Sequence, residues 1–152
     1  MRMLTLAIAT VLAFHLHSAL AALPEEEARF VAAARQAFEG HNADGLMALT
    51  CWDRVPDKFR DSGKKHYVRD VAQTATDIAL TPPDPKYPDL EWKDKDSVSY
   101  RSNLTVIKQL KITFVSGTKL DTAVGNVKVR DAVYPVGEKD GQLYLLQPAP
   151  VK

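Results

Sequence analysis

The sequence predicts an α+β protein, with N-terminal helices packed on an antiparallel sheet drawn from the C-terminal half. Three observations lead there. From Leu23 to about Thr76, apolar residues recur at helical spacing. From about Leu90 the period shortens to two, as in strands with one face on a core. Between the two regimes lies "PPDPKYPD", four prolines in eight residues, which suits neither a helix interior nor a central strand. Helices gathered at one end of the chain and strands at the other give an α+β layer arrangement.

The first residues read as an address. Met1-Arg2-Met3 is a short basic start, Leu4 to Phe14 is an apolar run, and Ala19-Leu20-Ala21 supplies an A-x-A site. That is the layout of a secretory signal peptide. The run is shorter than the roughly 20 residues a spanning helix requires. Residues 1–21 are expected to be removed, leaving 22–152 as one exported, soluble α+β domain, periplasmic or secreted. No later stretch is apolar and long enough to span a bilayer.

The helices follow in order. Leu23–Glu39 opens with Pro24 in the first turn and Glu25, Glu26 and Glu27 at the positive end of the dipole. Phe30, Val31, Ala34, Ala37 and Phe38 share one face, and Gly40 is the expected left-handed cap. Asn42 caps a short second helix running to about Thr50. "WDRVPDKF" reads as a connector. Asp61 and Ser62 offer a cap for a third helix ending near Thr76, with Tyr67, Val68, Val71, Ala72 and Ala75 as its apolar stripe.

The strands come next. "DIALT" is a short strand candidate before the proline-rich loop. Leu104 to Val115 alternates as one long strand, ended by Ser116-Gly117-Thr118. Val124–Val136 is a second and Leu143–Gln147 a third. Glu138-Lys139-Asp140-Gly141 is a hairpin turn with Gly141 at positive φ. Pro148 and Pro150 are read as the end of the fold.

Composition narrows function mostly by exclusion. Lys plus Arg number 20 and Asp plus Glu 19, a balance that loss of Arg2 makes neutral, so non-specific nucleic-acid binding is not expected. The lone cysteine, Cys51 in "TCWDRVP", has no partner for an internal disulfide and none at metal-ligand spacing. It follows Leu46 and Leu49 and is expected to be a buried small apolar residue. No Gly-rich phosphate loop, nucleotide fingerprint, metal cluster or Ser/His/Asp arrangement is present, so no cofactor or metal is expected.

The stretch "ARFVAAARQAFEGHNADGLMALTCWDRVP", followed by a third helix and closing strands, resembles the nuclear-transport-factor-2-like superfamily. "AFEGHNADGLMAL" is similar to that family's small-residue and Asp–Leu pattern between its first helices. "YPVGEKDGQLYLLQPAP" resembles its terminal hairpin. The resemblance implies a curved sheet wrapped by helices into a cone. The superfamily holds isomerases, dehydratases, polyketide cyclases and non-catalytic binding or association domains, so the fold does not choose the function. Its enzymes use Asp, His or Tyr within the cone, and Asp53, Asp61, His66, Tyr67, Tyr100, Asp131 and Tyr134 are available here. The connector "CWDRVPDKFRDSG" departs from the family, since it does not read as the usual extra strand.

Three functions compete. An exported, non-catalytic binding domain needs only an apolar cavity for a small apolar ligand, with Trp52, Tyr67, Phe114 and Tyr134 as lining. This is the favoured expectation, although ordinary core is the plainer reading of each residue. A cone enzyme would use His66 as acid or base. The plainer reading of His66, beside Lys64 and Lys65, is a helix surface. An association module would bind a protein partner, or form a homodimer, through a sheet face carrying Ile107 and Val115. Asn103-Leu104-Thr105 also matches a glycosylation sequon.

Overall fold

The computed structural model describes residues 24–85, 91–116 and 128–151. The expected signal peptide therefore lies outside the described residues, as do Lys86–Leu90 of the proline-rich segment and the start of the second long strand at Val124.

Residues 24–39 form α1. Its inner face, Phe30, Ala34, Ala37 and Phe38, is fully or almost fully buried. Glu26 accepts from Arg29 and from the Leu143 amide, which ties this helix to the C-terminal hairpin. The left-handed residue after α1 is His41, at φ 50°, and not Gly40. The chain closes α1 with bonds from the Gly40 amide to the Gln36 carbonyl and from the Asn42 amide to the Ala37 carbonyl. The His41 ring offsets its strained backbone by donating from Nδ1 to the Val71 carbonyl at 2.6 Å.

Asn42 caps α2 (Ala43–Ala48) by accepting from the Gly45 amide, as its residue type predicts. The next helix, α3, spans Asp57–Val71 with Pro56 at its N-cap position. It starts four residues before the expected Asp61–Ser62 cap and ends five before Thr76. Proline's fixed φ suits a helix entrance, and that preference decides the start. Residues 57–60 of the supposed connector are thus the first turn of α3.

The strands are β1 (Ala75–Thr81), β2 (Trp92–Lys93), β3 (Ser99–Ser102), β4 (Lys108–Ser116), β5 (Lys128–Lys139), β6 (Gln142–Leu145) and β7 (Pro148–Pro150). They build a four-stranded sheet in the order β1-β4-β5-β6 and a three-stranded sheet in the order β2-β3-β7. Every ladder is antiparallel. The fold is α+β, with the helices packed on a strongly curled sheet. No described helix is long and apolar enough to cross a membrane.

β4 and β5 form the spine. Leu110, Ile112 and Phe114 of β4 are buried with Val136 of β5, and they meet α1 and Tyr67 of α3 in one core cluster. The opposite face carries Lys111, Thr113 and Val115, paired with Val133, Asp131 and Val129. Val129 and Val133 are exposed there. Of the pair read as an association face, Val115 lies on this surface, whereas Ile107 precedes the strand.

The long strand expected from Leu104 begins only at Lys108. The buried side chain of Asn103 and a close crossing hold residues 103–106 out of the ladder, and the first bond to β5 is from the Ile107 amide to the Val136 carbonyl. The Thr105 carbonyl passes so near Gly137 that a Cβ there would sit 2.8 Å from it. At the β5–β6 turn, Asp140 and Gly141 both take positive φ, at 53° and 77°. That is a two-residue turn of the primed kind, which matches the twist of its strands.

Pro148 and Pro150 do not end the fold; with Ala149 they form β7. Gln147 bonds Asn103, and the Val151 amide donates to the Ser99 carbonyl. Odd-numbered residues thus face β3, and the prolines face away, where a missing N–H breaks no ladder bond.

Candidate functional site

The two sheets share a hinge. The Leu146 amide donates to the Pro135 carbonyl of β5, and one residue later the Gln147 carbonyl accepts from the Asn103 amide beside β3. The chain changes sheets between those two bonds. β6 covers β5 only at Val136–Lys139. Upstream of that, one side of β5 is paired with β4 and the other has no paired strand among the described residues. Pro135 turns its carbonyl toward Leu146, so Val133 and Asp131 turn their backbone groups the same way, beyond the end of β6.

The space between the diverging sheets is a cleft of about 780 Å³. Its floor is α3, which contributes Phe59, Ser62, Gly63, His66 and Tyr67. These positions are i, i+3, i+4, i+7 and i+8, one helix face. Tyr134, Val133 and Pro135 of β5 form one wall. Trp92 of β2, Arg101 of β3 and Pro148 of β7 lie on the other side. The volume falls in the range of sites for small organic ligands.

Tyr67 and Tyr134 stand together with ring centroids 5.8 Å apart. Their hydroxyls are already engaged. Thr50 gives its own proton to the Leu46 carbonyl at 2.7 Å, so the Tyr67 hydroxyl donates to Thr50 Oγ1 at 2.9 Å. It also accepts from Gln147 Nε2 at 3.1 Å. The Tyr134 hydroxyl donates to Asp70 Oδ2 in a short bond. Burial pushes both phenols above the ordinary tyrosine range, and for Tyr134 the Asp70 carboxylate pushes further in the same direction. Both are hydrogen-bond donors at neutral pH, not bases.

Asp70 is buried beneath this wall and is balanced on its other oxygen. Oδ1 accepts from Arg130 at 3.0 Å, Arg69 at 3.2 Å and Gln73 at 3.4 Å. Arg130 also lies over the Phe114 ring, 4.8 Å from its centroid. A buried carboxylate with this many donors is a joint between α3 and β5.

His66 lies on the cleft floor. Its Nδ1 faces the Ser62 carbonyl at 2.9 Å; because a carbonyl only accepts, Nδ1 carries the proton. Nε2 has no partner among the described residues. The structure therefore brings together four of the residues singled out by sequence, Tyr67, Tyr134, His66 and Asp131. Phe114 and Trp52, the other two expected to line a cavity, sit elsewhere. Phe114 is core, packed on Phe38 at 5.8 Å. Trp52 lies behind Gly63, where a Cβ would meet its ring at 3.3 Å. Its Nε1 donates to the Met47 carbonyl, and Arg60 covers its face. Both are apolar aromatics of the expected type, consumed by packing.

Sequence reasoning missed Phe59, Trp92, Arg101 and Gln147. Phe59 was legible in principle, since it precedes Ser62, His66 and Tyr67 at helical spacing once α3 starts at Asp57, just after Pro56. The rest arrive through sheet topology. The lone Cys51 is buried, its amide bonded to the Leu145 carbonyl. Among the described residues no group of three metal-ligating side chains is present. No family model matches the chain, and neither a curated protein nor a solved structure matches it.

Proposed function

We propose that this chain is an exported domain of the nuclear-transport-factor-2-like kind that holds a small, largely apolar ligand in the cleft between α3 and the two sheets. The cleft itself carries the reading: it is the size of a ligand site and is walled by Phe59, Trp92, Tyr67 and Tyr134. Support for binding over turnover comes from the polar groups. Tyr67, Tyr134 and Asp70 spend their hydrogen bonds on Thr50, Gln147 and Arg130, so they shape the walls. Export rests on the signal-peptide layout of residues 1–21, and kinship rests on the curled sheet covered by helices.

A panel of small apolar and carbonyl compounds, titrated against the exported protein by intrinsic fluorescence, tests this. Ser62→Trp would fill the cleft from an exposed turn of α3. It should abolish ligand binding while leaving the circular dichroism spectrum unchanged. Retained binding in that variant would refute the site.

A second reading has its own observation, the unpartnered Nε2 of His66 on the cleft floor. As an acid or base, His66 would contribute a rate factor of about 10²–10⁴. Turnover of a carbonyl or steroid-like compound that disappears in His66→Ala, with the fold intact, would establish the catalytic reading over the binding one.

A further inference from the structure

Among the described residues, the cleft carries one fixed charge with no neutralising partner. Asp131 is on its lining, but its carboxylate bonds Lys111 at 3.0 Å and Thr113 at 2.9 Å. Asp70, under Tyr134, is balanced by Arg69 and Arg130. Arg101, in contrast, lines the cleft with no ion pair or hydrogen bond from its guanidinium among the described residues. β3 presents it through a backbone register with Ala149. Among the described residues, the only other lining cation-former is His66, whose Nδ1–H is held by the Ser62 carbonyl.

An apolar cleft with a single unpaired guanidinium suits a ligand of one kind. Its body is apolar or aromatic and it carries one carboxylate. Arg presents a planar fork of donors that matches a carboxylate edge-on, and such charge-assisted pairs are about twice as strong as neutral ones. The aromatic walls cover the body, while the exposed Arg101 side chain meets the carboxylate from the solvent side of the cleft. We infer that the ligand of this cleft is a small amphipathic carboxylic acid, with its carboxylate on Arg101 and its apolar body between Trp92, Phe59 and Tyr134. The inference rests on the cleft being the binding site.

Naphthylacetate and naphthylacetamide differ only in that charge and make the test. Calorimetric titration of the mature protein should show the acid binding at least about tenfold more tightly than the amide. Arg101→Gln should lower affinity for the acid to the level of the amide, and Arg101→Lys should restore part of the difference. Circular dichroism of each variant confirms the fold. Equal affinity for the two compounds, or a preference for the acid that survives in Arg101→Gln, would overturn the carboxylate assignment and leave the cleft reading standing. Binding of neither compound, nor of any member of the apolar panel, would overturn the cleft reading itself.

Discussion

Asn103 shows how much one side chain organises here. It is 2% exposed, and its amide group donates to the Cys51 and Asp53 carbonyls at 2.8 and 3.2 Å and accepts from the Gln147 amide at 3.2 Å. Those partners belong to the loop after α2 and to the hinge between the sheets. Asn103→Ala would leave buried backbone groups unpaired and should cost about 2–3 kcal/mol in denaturant unfolding; a change within about 0.5 kcal/mol would show that water replaces the amide. The same commitment closes the Asn103-Leu104-Thr105 sequon, because the nitrogen that would take a glycan is bonded inside the fold. In the sequence this residue is visible only as a sequon. Its structural role rests on contacts more than 40 residues away, which no local pattern encodes.

Among the elements, β2 has the least support of its own: two residues, paired only with β3. A two-stranded ribbon is marginal alone. It is held to the first turn of α3 by Lys58, whose ammonium bonds Asp94 at 2.9 Å and lies 4.9 Å from the Tyr100 ring centroid. Trp92 stacks on Tyr100 at 5.0 Å, and Phe59 meets both rings edge-on. The Lys58 ammonium, helped by the Asp96 and Val98 amides, pulls the Asp94 carboxyl down to about 2. A folded pKa below the unfolded value of about 3.9 means that the contribution is complete above pH 4 and is lost as pH falls toward 2. In a Trp52→Phe background, where Trp92 is the sole tryptophan, emission should therefore change between about pH 4 and 2. Asp94→Asn should abolish that transition, and a flat trace in the parent would dismiss the clamp. The elements also show where sequence signals compete. Asn42 was readable as a cap because nothing nearby rivals it. Asp61 and Ser62 look like caps too, yet Pro56 opens the helix first and leaves them inside it. Leu104 and Val106 continue the alternation of β4, but the buried Asn103 and the crossing over Gly137 keep them out of the ladder.

At the scale of the whole molecule, the cleft is a product of connectivity. Helical and strand periods made the α+β class legible, and residue type alone marked Tyr67, Tyr134 and His66. The cleft exists because the chain changes sheets at Leu146–Gln147, and it is α3 that bridges the resulting gap. Nothing local to Trp92, Arg101 or Gln147 signals that event. The joint that keeps the gap at its width is the contact of Tyr134 with Asp70, which ties β5 to α3. Burial raises both Tyr67 and Tyr134, so the folded state holds their protons beyond pH 10, where an unfolded tyrosine releases its own. The contribution is full below about pH 10 and declines as pH rises further, since the unfolded chain then gains by ionising. In a spectrophotometric titration, Tyr67 and Tyr134 should therefore ionise only with unfolding. In Tyr134→Phe that late phase should shrink by one residue. The variant should also lose about 1–2 kcal/mol, because Asp70 gives up a donor to a buried oxygen. An unchanged late phase in Tyr134→Phe would mean that this phenol is open to water, and that the wall of the cleft is not held to its floor in the way the Asp70 contacts require.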